Sequence, residues 1–280
     1  MWGTMKQPTD WIAVDRGELP SIESGAGPSV ILCHAGIADM TMWEPQIGAL
    51  STQFSVLAYD ARGYGLSRTE PGTYSPLADL AAVIESRDVP RVALVGCSLG
   101  GALTLEYAAA NPDLVWAIVW VCGGIWGSPR VQDEVETAFE VHRQALKASA
   151  DWEGLADADA SFWVDGPRTP GRGPAEIRRQ VLDMILHNIR RPDDDLILEF
   201  DPPSDESRLR AITCPVLVVI GDFDATAIAS GAATLMRLLP DAEEIHFPAA
   251  HLPNMESPSA FTAAVSDFLQ RAWSKRAGSA

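Results

Sequence analysis

The chain is poor in basic residues: 21 Lys and Arg stand against 38 Asp and Glu in 280 residues, a formal net charge of −17. That imbalance removes the electrostatic case for nucleic acid or an anionic membrane as a partner. Long apolar runs are missing as well. No stretch reaches the ~20 apolar residues of a membrane-spanning helix, and the start, Met1 to Lys6, has no apolar run of signal-peptide length. A cytoplasmic location is the resulting expectation. Cysteine is scarce: Cys33, Cys97, Cys122 and Cys214 show no paired spacing and no Cys-x-x-Cys. Buried free thiols in a reducing compartment explain them better than disulfides or a metal site. There is no internal repeat and no low-complexity tract. What is present is an ordinary globular composition, 47% hydrophobic and 21% charged, in a length that fits one large domain with an insertion.

Apolar runs and helix-forming stretches alternate along most of the chain. Strands are expected at 11–14 and 21–23, joined by a turn at Asp15-Arg16-Gly17, and then at 30–34, 54–59, 92–95, 115–121, 216–220 and 243–247. Helices are expected over 43–50, 77–86, from Ala102 onward, and over 225–239 and 258–273. Strands separated by helices imply right-handed crossovers and a mostly parallel, eight-stranded sheet flanked by helices, an α/β fold. The alternation breaks over 123–205. Residues 124–205 hold 17 acidic and 9 basic side chains, a balance of −8, with helical patches at 131–149, 153–162 and 175–190. An excursion of that length reads as an inserted helical cap, or lid, rather than a structureless loop. The core domain is then 1–122 with 206–280.

The ten residues Ala93 to Ala102 carry the chemistry. A buried strand runs into Gly96-Cys97-Ser98-Leu99-Gly100, and a helical composition follows. Gly-x-Ser-x-Gly between strand and helix is a nucleophile elbow. The glycines are needed because a Cβ at either flank would strike the neighbouring backbone. Ser98 would stand at the carboxyl end of the sheet, beside a helix N-terminus suited to an oxyanion.

A serine nucleophile needs a base, and the base needs an orienting acid. Of five histidines, His142 and His187 fall in the insertion, His246 lies within a strand, and His34 ends a strand before a glycine-bearing loop. Only His251 leaves the carboxyl end of a strand ahead of a helix, on the edge where Ser98 emerges. The acid is expected from Gly221-Asp222-Phe223-Asp224, with Asp224 chosen, Asp222 as the alternative, and helix capping as the structural use of Asp224. The oxyanion would be held by the Leu99 N–H and by that of Gly36. Trp126 and Ile37 are the residues expected to touch the substrate. Trp152, Phe162 and Trp163 of the insertion could line the pocket or simply hold the insertion down.

His34-Ala-Gly, Asp60-Ala-Arg-Gly-Tyr-Gly-Leu-Ser67, Gly96-Cys-Ser-Leu-Gly100, Gly221-Asp-Phe-Asp224 and His251-Leu-Pro-Asn-Met-Glu together resemble the landmark motifs of the α/β-hydrolase superfamily. Residues His34 to Gln46 and His251 to Pro258 are most similar to its 3-oxoadipate enol-lactonase branch. Two segments depart from that branch. Cys122-Gly-Gly-Ile-Trp126 replaces an Asn-Thr-Ala-Ala-like stretch, and His34-Ala35 replaces His-Gly. The resemblance implies the α/β-hydrolase fold and a triad of Ser98, Asp224 and His251 that works without a cofactor. The expected activity is a serine hydrolase cleaving an ester or lactone of a small carboxylic compound. Alternatives are a carbon–carbon hydrolase of a vinylogous diketone, whose usual Gly-Asn-Ser-Met-Gly-Gly differs at Cys97 and Leu99, and a slow receptor-like hydrolase. The expected partner is a small-molecule ester or lactone, with no nucleic acid and no membrane. A homodimer is left open.

Overall fold

A computed structural model describes residues 8–128, 131–191, 196–199 and 206–277. The elements in chain order are β1 (Asp10–Val14), β2 (Gly17–Ser24), β3 (Ser29–Cys33), a 3-10 turn at Met40–Trp43, α1 (Glu44–Leu50) and β4 (Ser55–Tyr59). Then come β5 (Arg68–Thr69), β6 (Gly72–Tyr74), α2 (Pro76–Glu85), β7 (Val92–Cys97), α3 (Leu99–Ala110) and β8 (Val115–Val121). The chain next leaves the sheet for α4 (Glu134–Ala148), α5 (Trp152–Ala160), a π turn at Ser161–Asp165, α6 (Ala175–Ile189) and β9 (Leu196–Leu198). A 3-10 turn at Glu206–Ala211 leads back to β10 (Val216–Gly221), α7 (Thr226–Leu238), β11 (Ala242–Phe247), α8 (Pro253–Glu256) and α9 (Pro258–Ala277).

Eight strands lie side by side in the order β1-β2-β4-β3-β7-β8-β10-β11, and β5 adds to β2. The pairs β1–β2 and β2–β4 are antiparallel, whereas every pair from β4 to β11 is parallel. Strands β3, β7, β8 and β10 are buried at every residue. Their unbroken apolar runs are what a parallel strand covered on both faces requires. Strand β11, at the sheet edge, is only partly buried.

Two features lie outside the expected eight strands. The two-residue β5 extends β2, and β6 pairs in parallel with β9 from Gly72↔Leu196 to Tyr74↔Leu198. That second small sheet ties the far end of the inserted helices to the loop before α2. Segments of two or three residues are too short to show a period-2 pattern. The expected insertion, 123–205, includes positions 129–130, 192–195 and 200–205, which lie outside the described residues.

Because β7, β8, β10 and β11 run parallel, the residues after each strand gather at one edge of the sheet. Ser98, Cys122, Asp224 and His251 all arrive there by topology.

Candidate active site

Ser98 sits between the last residue of β7 and the first of α3, with φ 54° and ψ −111°. This left-handed geometry is costly for a residue with a Cβ, and strain of this kind concentrates at functional positions. It is over-determined by its surroundings. The Ser98 N–H donates to the Val121 carbonyl at 3.0 Å, and its own carbonyl accepts from Ala102 N–H at 3.1 Å. A Cβ at Gly96 would run into the Gly100 carbonyl, and one at Gly100 into the Cys33 carbonyl. Both elbow glycines are therefore required by close backbone approach.

His251 and Asp224 meet directly. His251 Nδ1 lies 2.8 Å from Asp224 Oδ2, and each side chain is only 2% exposed. A carboxylate oxygen accepts here, so Nδ1 carries the hydrogen of this bond and Nε2 is the ring nitrogen outside it. The other carboxylate oxygen, Oδ1, accepts from Ala225 N–H at 2.7 Å, just before α7. Asp222 points elsewhere: it bonds His246 Nδ1 at 2.9 Å, on the exposed side of β11. Hydrogen bonds to Glu244 first and then to Asp222 push the His246 pKa up.

The loop after β3 is fixed by His34. Ala61 N–H donates to Nε2 at 2.9 Å, which leaves Nδ1–H to donate to the Ala35 carbonyl at 2.8 Å. Burial lowers the His34 pKa and so favours this neutral form. Gly36 lies on that loop against Leu99: a Cβ placed on it would be 3.6 Å from Leu99 Cδ2. Leu99 opens α3, where an N–H has no acceptor within the helix.

Ser98 and His251 share the wall of one cavity of about 420 Å³. Leu99, Ile125, Trp126 and Trp163 add apolar surface to it. A face of α7, formed by Ala227, Ser230, Gly231 and Thr234, closes another side. Ile37 is not on these walls; it packs against the main core instead. Gly36 is likewise outside the lining, next to Leu99, which is on it. Of the other aromatic residues considered, Trp152 is 41% exposed, and Phe162 is buried in a stack with Phe139 at 3.7 Å.

Several contributors were not legible from sequence. The His251 N–H donates to the Trp163 carbonyl at 3.1 Å, and the two rings lie 4.3 Å apart. Arg172 caps the π turn, donating to the Val164 carbonyl at 2.7 Å and the Asp165 carbonyl at 2.9 Å. It also pairs with Glu256 at 2.8 Å, while Glu256 accepts from Ala250 N–H at 2.7 Å beside His251. Glu136 of α4 is buried and accepts from the Thr226 and Ala227 N–H groups that open α7. Two of the contributors carry a sequence signal: Trp163 is an aromatic of the insertion, and in α7 small residues at 227, 230, 231 and 234 recur at helical spacing and leave room beside that helix.

Cys122 Sγ, an Asp224 oxygen and a His251 nitrogen lie within 4.8 Å of one another, the only three-residue metal-like cluster among the described residues. The histidine and aspartate atoms already bond each other. Burial, with the Asp224 charge adding to it, pushes the Cys122 thiol well above its ordinary pKa. Cys97 is raised in the same way. A thiol that keeps its proton is a poor ligand and a poor nucleophile. The cluster therefore reads as a hydrogen-bonded group around the carboxylate.

A strand–elbow–helix brings Ser98, and later loops of the same parallel sheet bring the Asp224–His251 pair, to one cavity. The chain belongs to the alpha/beta hydrolase family, whose model matches residues 30–265. It is 28% identical over 264 residues to 2-(acetamidomethylene)succinate hydrolase of Mesorhizobium japonicum, covering 88% of this chain and 90% of that one. It is 26% identical over 255 residues to 3-oxoadipate enol-lactonase 2 of Acinetobacter baylyi, covering 87% and 89%. The crystal structure of the enol-lactonase from Burkholderia xenovorans superposes with a TM-score of 0.72 at 24% identity, over 93% of this chain and all of that one.

Proposed function

We propose that the protein is a serine hydrolase that cleaves an ester or lactone through an acyl-enzyme, without a cofactor. Ser98 is the nucleophile, His251 the general base and then acid, and Asp224 the group that orients and supports the imidazole. One observation carries this reading. The 2.8 Å contact between His251 and Asp224, both nearly sealed from solvent, lies at the cavity that Ser98 also lines in a strained backbone geometry.

Ser98 Oγ attacks the carbonyl carbon and its proton passes to His251 Nε2. Oxygen charge in the tetrahedral intermediate is held by the Leu99 N–H and by that of Gly36, with the α3 N-terminus adding its dipole. Collapse breaks the bond to the alkoxide, which takes the proton from Nε2. Water then gives its proton to Nε2 and attacks the acyl group, and Ser98 recovers that proton as the acid is released. From an ester the products are an acid and an alcohol; from a lactone, one hydroxy acid. The imidazolium formed twice per cycle is stabilised by Asp224. The inserted segment 123–205 acts as a lid, with Trp126 and Trp163 facing the cavity. The lactone in the name of the Acinetobacter baylyi relative supports the choice of bond.

A fluorophosphonate probe tests the assignment. It should label Ser98 in the wild type, and Ser98→Ala should lose both labelling and turnover of small esters. Labelling at another serine, with turnover kept in Ser98→Ala, would overturn the nucleophile assignment.

A further inference from the structure

The cavity beside Ser98 has an unusual charge balance for so acidic a protein. Among the described residues, His251 is the only titratable side chain on its walls. The remaining surface is aromatic or aliphatic, with four hydroxyls, those of Ser98, Ser128, Ser230 and Thr234. Three arginines of the surrounding segments are ion-paired. Arg172 is paired with Glu256, Arg208 with Glu106 and Arg237 with Glu206. Arg208 also donates to the Trp126 carbonyl at 2.8 Å. The Ser128 hydroxyl donates to Glu206 Oε2 at 2.9 Å, and that carboxylate is the one paired with Arg237.

We infer that this site takes substrates whose acyl and leaving groups are both uncharged, and that it rejects those bearing a carboxylate. The inference rests on Ser98 being the nucleophile and names the substrate class for that reaction. A carboxylate lying against these walls would give up part of its hydration with no cation among the described lining residues to meet it, and an unpaired charge against apolar surface is costly. An uncharged acyl chain meets Trp126, Trp163 and Ile228 instead, and the hydroxyls of Ser230 and Thr234 on α7 can bond a neutral ether, hydroxyl or amide oxygen. About 420 Å³ suits a substrate larger than an acetyl ester.

Two physical effects would disfavour anions, and they can be separated. Repulsion by the net charge of −17 acts at long range and is screened by salt. The lack of a partner in the walls acts at contact and persists in salt. Only the second is a property of the cavity.

The experiment compares p-nitrophenyl pentanoate with mono-p-nitrophenyl succinate, which have the same leaving group and acyl chains of similar length. Both are assayed at low salt and at about 0.5 M NaCl, where the Debye length is only a few ångströms. The neutral ester should be preferred in kcat/KM by roughly 100-fold or more, the size expected for an uncompensated buried charge, with most of that ratio kept in high salt. Thr234→Lys, which places a cation on the α7 face, should raise succinate relative to pentanoate at least tenfold. Arg130 stands two residues after Ser128 and lies outside the described residues, so Arg130→Gln is included and should leave the preference as it is. Equal rates for the two esters, a ratio that collapses in salt, or an unchanged ratio in Thr234→Lys would each overturn the inference while Ser98 still labels with fluorophosphonate. Loss of that labelling in the wild type would instead remove the reading on which it rests.

Discussion

The imidazole of His251 lies against the indole of Trp163, with ring centroids 4.3 Å apart and planes inclined at 42°, and the backbone N–H of His251 donates to the Trp163 carbonyl at 3.1 Å. One inserted residue thus touches both the ring and the backbone of the proposed base. The contact links the inserted helices to the sheet edge at the position where chemistry would occur.

Trp163→Ala should therefore act on His251 as well as on the cavity. The backbone bond survives the substitution, because it uses a main-chain carbonyl, but the ring loses its packing partner. Fluorophosphonate labelling of Ser98 should slow by about 10-fold or more, on the scale seen when a base is imperfectly held. Stability should fall by about 1–3 kcal/mol, less than for a fully buried Trp because Trp163 is half-buried. Trp163→Phe should recover most of the labelling rate. Labelling rates and thermal unfolding on the two variants check this, and an unchanged rate in Trp163→Ala would mean that Asp224 alone holds the imidazole.

The two aspartates of the β10 loop should behave differently. Asp224→Asn puts an amide where both oxygens now accept, one from His251 Nδ1 and one from Ala225 N–H. At least one donor would then face an NH2 group, or the imidazole would turn to the other tautomer, and turnover should drop roughly a thousand-fold or more. Asp222→Asn should leave turnover within a factor of about two, as an exposed residue far from shared partners normally does. It should also lower the pKa of His246, which Asp222 helps to raise. Turnover measured beside an NMR titration of His246 separates the two. Reversed effects would move the acid to Asp222.

Much of this arrangement was legible in the sequence because it depends on local rules. Buried parallel strands are apolar without interruption, so β3, β7, β8 and β10 were found to within a residue or two of their ends. The elbow glycines have short-range steric causes, and chain order along a parallel sheet placed Asp224 and His251 on the edge of Ser98. What the sequence could not give was set by contacts between distant segments. Trp163 and His251 are 88 residues apart in number, and no periodic pattern joins them. Arg172, Glu256 and Glu136 read as ordinary surface charges, yet they bind backbone groups around the site. Ile37 lies partly buried against the main core rather than on the cavity wall, a direction that no local pattern encodes.

A last prediction concerns the loop that carries Gly36. Asp60 holds it from below: Oδ1 accepts from Met40 N–H and Oδ2 from Leu66 N–H, each at 2.8 Å. Burial first, and then the nearby charge of Asp39, push the Asp60 carboxyl from its ordinary 3.8 up to about 7, with the two backbone N–H groups pulling the other way. In the unfolded chain the same group loses its proton near 3.8. Across the window from about pH 4 to pH 7 the folded state thus binds a proton that the unfolded state has released. This contribution to stability is complete at the acid end, falls as pH rises by up to about 1.4 kcal/mol per unit, and is gone above the window. Asp60→Asn cannot titrate, and its amide NH2 must face one of the two N–H donors, so the variant should be less stable than wild type at acid pH. The gap between them should shrink as the pH approaches 7 and stay constant beyond it. Asp39→Asn, which keeps a side chain able to cap the following turn, should shift the wild-type slope to lower pH by removing the second cause. Urea unfolding of the three proteins in half-unit steps from about pH 4.5 to 8.5 measures the slopes directly. A wild-type-to-Asn gap that stays the same at every pH would show that Asp60 is ionised throughout and that the two N–H bonds outweigh its burial.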